Sequence, residues 1–279
     1  MNPVKRVLLL ILLLLVGYVV ALPPWRSWRA SSLARKGIEA AREERWPEAA
    51  RSFEKATTYA DDFAGAWYNL GLARLRMHNL EGAAAAFKKE LSINFNEPNG
   101  LVALGQTQLL LGDYAGAEDS ANGVLRFHPT SGVAYYVLGE AYFQTKRMTN
   151  AIDAYQQVLQ YDQQNAAGAH YNLGRCYAAI DQYADARKEL QEAVRLKPSV
   201  LESRLLLGKI LVRLGDFDGA DEQQRALRPI DRRAAAELLE YIQRSASVTS
   251  AKGSSASNAP FSSSLNLGDS SDRKAGIGP

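Results

Sequence analysis

Three histidines and one cysteine are the side chains of this 279-residue chain best suited to hold a metal or carry a nucleophile. Two such groups on one helix share a face only when they stand three or four residues apart. His78 falls in a predicted turn, and His128 precedes Pro129 at another. Cys176 follows His170 by six residues, off its face. No phosphate-cradling glycine loop, GxSxG elbow or HExxH helix occurs. A lone cysteine excludes an internal disulfide and a metal site built on cysteines. These residues predict no enzyme, no metal and no cofactor. They read instead as turn or packing residues, with Cys176 a small buried side chain.

The elements that would carry any other chemistry are set by a repeat. Glycine recurs as Gly37, Gly71, Gly105, Gly139, Gly174 and Gly208, at steps of 34, 34, 34, 35 and 34 residues. Twelve residues after each glycine stands an alanine: Ala49, Ala83, Ala117, Ala151, Ala186 and Ala220. Four residues after the alanine, Phe53, Phe87, Tyr155 and Leu190 supply bulk. A glycine inside a helix costs about 1 kcal/mol against alanine. That cost is tolerated where a missing side chain lets two helices approach closely. One helix pair cannot bury both of its faces, so stacked neighbours must complete the core.

Around the glycines the chain reads Trp67-Tyr68-Asn69-Leu70-Gly71, Tyr135-Tyr136-Val137-Leu138-Gly139 and His170-Tyr171-Asn172-Leu173-Gly174. Gly112-Asp113-Tyr114 and Gly215-Asp216-Phe217 precede two of the column alanines, and Pro129 and Pro198 close two units. This pattern resembles the tetratricopeptide repeat family, whose unit is a 34-residue helix–turn–helix. The resemblance implies an all-α fold. It would be a right-handed α-solenoid of six such repeats plus a C-terminal capping helix, preceded by an N-terminal hydrophobic helix. The one-residue insertion is expected in the polar turn at Gln163-Gln164-Asn165.

In that family the first helices of the repeats line a concave face that holds a partner. Carried onto this chain, the lining implied by the resemblance includes Tyr68, Gln106, Tyr136, Glu140, Tyr171, Arg175, Lys209 and Arg213, with Phe143 beside them. Arg175 and Lys209 are expected to face solvent and to favour an acidic or polar partner segment with an apolar anchor. The family's clamp for a C-terminal carboxylate is absent, because the places around Asn69 and Asn172 hold none of its lysines or arginines. Six repeats behind an exported leader also resemble bacterial pilotins. Those carry a lipidated cysteine at the end of the leader, and this chain has no cysteine before Cys176.

The resulting domain plan is residues 1–29, a signal anchor or signal peptide; 30–228, six repeats; 229–245, a capping helix; and 246–279, a disordered tail. Within the first, Lys5 and Arg6 precede an apolar run from Val7 to Leu22, and Trp25 and Trp28 follow. As a helix the run spans about 24 Å, between a signal-peptide core and a bilayer span of ~20 residues. The tryptophans suit a membrane interface and favour an uncleaved single-pass anchor. Cleavage after Val19-Val20-Ala21 is the alternative. The tail, rich in Ser, Ala and Gly, lacks the apolar surface to offset its chain entropy.

Charge adds one exclusion. The formal charge of +3 is spread along the chain and does not fit a nucleic-acid partner. High Ala, Leu and Arg content has a bacterial look. A short charged tail before a Leu-rich run places the repeats on the periplasmic side of a bacterial inner membrane. The expected function is a membrane-anchored scaffold or adaptor that binds a partner protein and assists assembly of an envelope complex. An accessory subunit of an envelope enzyme, in a polysaccharide or cell-wall system, is the alternative.

Overall fold

The computed structural model describes residues 24–253. They form thirteen α-helices, one short 3-10 turn and no strand. The helices are α1 (Pro24–Arg42), α2 (Trp46–Tyr59), α3 (Ala64–Arg76), α4 (Leu80–Ile93), α5 (Pro98–Leu111), α6 (Tyr114–Phe127), α7 (Gly132–Gln144), α8 (Met148–Tyr161), α9 (Ala166–Ala179), α10 (Tyr183–Leu196), α11 (Leu201–Arg213), α12 (Phe217–Leu227) and α13 (Arg232–Gly253). The 3-10 turn covers Gln163–Asn165, where the repeat gains its extra residue. The apolar run Val7–Leu22 lies outside the described residues, as does the tail beyond Gly253. Among the described residues no helix is long and apolar enough to cross a membrane.

Two described helices run across expected domain boundaries. Trp25 and Trp28 belong to the first described helix, Pro24–Arg42. Proline at a helix start loses no hydrogen bond and brings a helical φ. The last helix runs past Ser245 to Gly253, because Ala246 to Lys252 carries no proline or glycine to stop it.

The chain divides into two compact units, Met1–Asp113 and Tyr114–Pro279. The first holds α1 to α5, the second α6 to α13. The division falls inside the third repeat, between its first and second helices. In the first unit, Ala34, Phe53, Ala66 and Leu70 form one cluster, and Phe87, Leu75 and Leu104 another. In the second, Tyr155, Leu173 and Cys176 pack between α7, α8 and α9. Leu190, Leu207, Ile210, Leu227 and Leu238 pack among α10 to α13.

The turn inside every repeat has one construction. The seventh residue after the column glycine has positive φ in all six: Glu44 (57°), His78 (57°), Gly112 (75°), Lys146 (59°), Asp181 (59°) and Gly215 (80°). The next residue then donates its N–H back into the helix. Arg45 reaches the Ala40 carbonyl at 2.9 Å, Arg147 reaches Tyr142 at 2.8 Å, and Asp216 reaches Leu211 at 2.9 Å. This is the left-handed helix cap that satisfies terminal carbonyls. A non-glycine residue there costs about 1–2 kcal/mol, and four of the repeats carry it. His78 is one of them, so its position is explained by the backbone.

The column glycines are where helices meet. A Cβ on Gly71 would lie 2.5 Å from the Phe87 ring, and one on Gly139 would lie 2.7 Å from the Tyr155 ring. Gly37 faces Phe53 and Gly174 faces Leu190 in the same way. In each case the bulky residue comes sixteen positions later, on the second helix. The column alanines are completely buried. The sixth repeat has Gln224 at that position, so Gly208 instead receives Leu238 from α13, at 2.4 Å. Ala121 holds the position in the third repeat.

One polar group stands out in the first unit. Glu90 on α4 is only 2% exposed. Its Oε2 is buried and has no hydrogen-bond partner among the described residues. It occupies the space left by Gly100 on α5, where a Cβ would sit 2.1 Å from that oxygen. Burial, and then the charge of Glu97, pushes its carboxyl up from 4.5 to about 7.

Two outcomes follow from these contacts. Gly139→Ala gains helix propensity but drives a methyl into the fixed Tyr155 ring. It should destabilise the second unit by about 1–3 kcal/mol, read from its melting curve. Between pH 4.5 and about 7 the folded chain keeps a proton on Glu90 that the unfolded chain has released. Stability therefore falls as pH rises across that window and levels off above it. Glu90→Gln should flatten the difference in urea midpoint between pH 4.5 and pH 8.

Candidate functional site

The first helices of the second unit, α7, α9 and α11, carry the densest set of predicted lining residues. Equivalent positions in successive repeats fall side by side on these helices. Tyr136 and Tyr171 share the position three before the column glycine. Glu140, Arg175 and Lys209 share the one just after it. Opposite charges at one repeat position are thus brought together by the stacking itself.

Arg175 and Glu140 form an ion pair, Nη1 to Oε2 at 3.2 Å. The same Nη1 donates to Asn172 Oδ1 at 2.9 Å. Tyr155 donates its hydroxyl to Glu140 Oε2 at 2.9 Å, and Gln144 Nε2 donates to Oε1 at 2.8 Å. Burial and then Glu140 raise the pKa of the Tyr136 hydroxyl, against the smaller lowering effects of the Asn172 amide and the Arg175 charge. Phe143 places its ring centroid 4.0 Å from the guanidinium carbon, and Tyr171 follows at 5.8 Å. Tyr136 meets Tyr155 edge-on, ring centroids 6.0 Å apart.

This arrangement corrects one expectation. Arg175 does not face solvent: it is 5% exposed, locked between two helices. Its chemistry explains why. A guanidinium offers several donors in a plane and stacks on rings, so it tolerates burial when a carboxylate and an amide oxygen receive its protons. Burial opposes the charge, but Glu140, with Tyr155 and Tyr171, holds the guanidinium above its ordinary value. Burial first, then Glu140, raises the Tyr155 hydroxyl well above 10. Tyr136 and Tyr171 rise for the same leading reason. Burial pushes the neighbouring Cys176 thiol up to about 12, so it stays protonated and is a poor nucleophile.

Lys209 departs from expectation too. Its Nζ lies 2.7 Å from Glu237 Oε1 on α13, and most of its side chain is covered. Arg213 is half-buried near the end of α11, close to Tyr183. Tyr68 and Gln106 lie in the first unit, on α3 and α5. Tyr68 packs on Phe87 with ring centroids 5.8 Å apart, and burial, then Glu90, raises its hydroxyl. Gln106 is half-buried. The structure therefore brings together four of the predicted residues, Tyr136, Glu140, Tyr171 and Arg175. Asn172 and Tyr155, which the predicted lining leaves out, complete the network.

What reaches the surface above this network is mainly Tyr136, at 37% exposed, with part of Tyr171. Its base is a paired charge, not a free cation. Elsewhere in the unit, His170 Nδ1 lies 2.7 Å from Glu189 Oε2. That partner comes from the second helix of the repeat, out of reach of spacing arguments within one helix. Among the described residues no three His, Cys, Asp or Glu side chains gather where a metal ion could be held.

The surface is built from stacked helix pairs, with the Tyr136 side chain over a polar network in which Arg175 and Glu140 are paired. Two sequence profiles of the tetratricopeptide repeat match, one at residues 35–98 and 102–166, the other at 146–199. The chain belongs to the tetratricopeptide repeat family. It is 28% identical over 123 residues to the BBSome complex member BBS4 homolog of Drosophila melanogaster, covering 44% of this chain and 25% of that protein. It is 26% identical over 112 residues to the heat shock protein STI1 of Saccharomyces cerevisiae, covering 39% of this chain and 19% of that one. The chain thus spans a quarter or less of the curated relatives it matches. Among solved structures, PilW, described as a type IV pilus biogenesis factor, matches with a TM-score of 0.67 and 19% identity over 75% of this chain and 98% of PilW. The pilF protein of Pseudomonas aeruginosa matches with a TM-score of 0.64 and 16% identity over 77% and 98%. At those identities the likeness is one of fold.

Removing Arg175 would leave the Glu140 carboxylate buried without its countercharge. Arg175→Ala should destabilise the second unit by about 3–5 kcal/mol. Lys209→Ala should cost about 1 kcal/mol or less, since Glu237 is half open to water. Thermal melts of the two variants check the ordering.

Proposed function

We propose that this chain is a membrane-anchored scaffold that holds a segment of a partner protein on the first-helix surface of its second unit and so assists assembly of an envelope complex. The observation that carries this reading is Tyr136. It is an exposed ring held over a network that fixes Asn172, Arg175 and Glu140 beneath it. A rigid aromatic with a hydroxyl gives contact area at small entropic cost, and such residues dominate interface energies. Because Arg175 and Lys209 are both paired to carboxylates, the segment it fits is polar with an apolar anchor, and acidity adds little.

The anchor is the run Val7–Leu22, which would hold the repeats at the periplasmic face of a bacterial inner membrane. Assembly of an envelope machine is favoured by the fold shared with PilW, a type IV pilus biogenesis factor.

Capture of the partner from solubilised membranes by the full chain tests the reading. Tyr136→Ala should weaken capture tenfold or more, in line with about 2 kcal/mol for a buried aromatic anchor. The loss should be the same at low and high salt, since no free cation is involved. Wild-type capture by the variant at both salts would overturn the assignment of this surface.

A further inference from the structure

The first described helix presents an exposed aromatic and basic face. Trp25 is 56% exposed and Trp28 is 67% exposed, and Arg29, Arg35 and Lys36 are exposed as well. Steps of three and four residues put Trp25, Trp28, Arg29, Arg35 and Lys36 on one side of α1. The opposite side is buried through Ala30, Ala34 and Gly37. Trp25 meets the Tyr59 ring edge-on at 6.1 Å, and the Arg29 guanidinium lies 5.5 Å from the same ring. Trp25 is therefore held from beneath, and both tryptophans are turned outward.

We infer that this face of α1 lies against the headgroup layer of an anionic bilayer, with Trp25 and Trp28 seated at the boundary of headgroups and acyl chains. The inference rests on the membrane anchoring proposed above and adds a second, lateral contact to it. Three features choose a lipid surface over a protein. The apolar run ends at Leu22, and three residues of chain reach about 10 Å at most, so Trp25 cannot stand far from where that run ends. Exposed tryptophans at such a distance match the aromatic belt of membrane proteins. The charge beyond the run is also one-sided: Arg26, Arg29, Arg35 and Lys36 all precede Glu39, the first acidic residue of the chain. Basic residues beside a membrane are attracted to an anionic surface.

The test uses the full chain reconstituted into vesicles of phosphatidylethanolamine and phosphatidylglycerol at about 7:3, an anionic surface. Two vesicle sets differ only in bromine atoms on the acyl chains, close to the headgroups. Tryptophan emission should be quenched by at least a third in the brominated set. The quenching should largely vanish in the Trp25→Phe/Trp28→Phe variant, which keeps a ring against Tyr59 and leaves Trp46 and Trp67 as reporters. A chain that sediments with vesicles but shows no quenching overturns the docked face while leaving the anchor standing. A chain that neither sediments nor is quenched overturns both. Unquenched emission that shifts to the blue as protein concentration rises points to a second copy covering the tryptophans, and overturns the lipid assignment.

Discussion

Five column glycines let a helix come closer to a neighbour than any side chain would permit. The space each one leaves is filled by a ring or a branched aliphatic: Phe53, Phe87, Tyr155, Leu190 or Leu238. The rest of each repeat answers to this contact. A fully buried alanine, four residues before that bulky position, keeps the second helix near. The left-handed residue seven positions on reverses the chain at the distance the contact requires, and its neighbour's N–H closes the cap. Four repeats accept a strained non-glycine residue there, which indicates how firmly the packing on both sides specifies the turn.

Stacking also decides what the surface can be. Because equivalent positions lie next to each other, unlike charges one repeat apart neutralise each other. Glu140 and Arg175 do so in the interior, where Tyr155 donates to Glu140 and Asn172 accepts from Arg175. A buried pair of this kind adds little net stability but is costly to break, so it serves to fix geometry. Tyr136 inherits that fixity. The surface proposed for recognition is thus aromatic and nearly neutral, although it is built over two full charges.

Most of the fold is legible in the sequence because the repeat multiplies weak signals. One glycine or alanine means little, but six at a fixed offset specify helix pairs. The positive-φ turn can be traced in the same register through Gly112 and Gly215, and the other four members follow by position. The site is less legible. Reading each first helix by itself puts Arg175 and Lys209 on solvated faces. Aligning the repeats sets Glu140 beside Arg175 and points to the ion pair. The partner of Lys209, Glu237, comes from α13, which has no repeat register to follow. Glu90 is harder still, because its burial depends on the absent side chain of Gly100 on the following helix.

The position of Leu238 has a consequence for how such a chain can change in length. Repeats arise by duplication, and the interior repeats filled by Phe87, Tyr155 or Leu190 can be copied because each brings its own glycine and its own filler. The sixth repeat cannot. Its filler position holds Gln224, whose side chain donates to the Ala235 carbonyl of α13, and its glycine is served by that same helix. A seventh repeat inserted between α12 and α13 would separate Gly208 from Leu238 and leave a hole at the old junction. Growth is therefore permitted upstream and forbidden at this end, so α13 acts as the terminus of a modular array and fixes the count from which any longer descendant must be built.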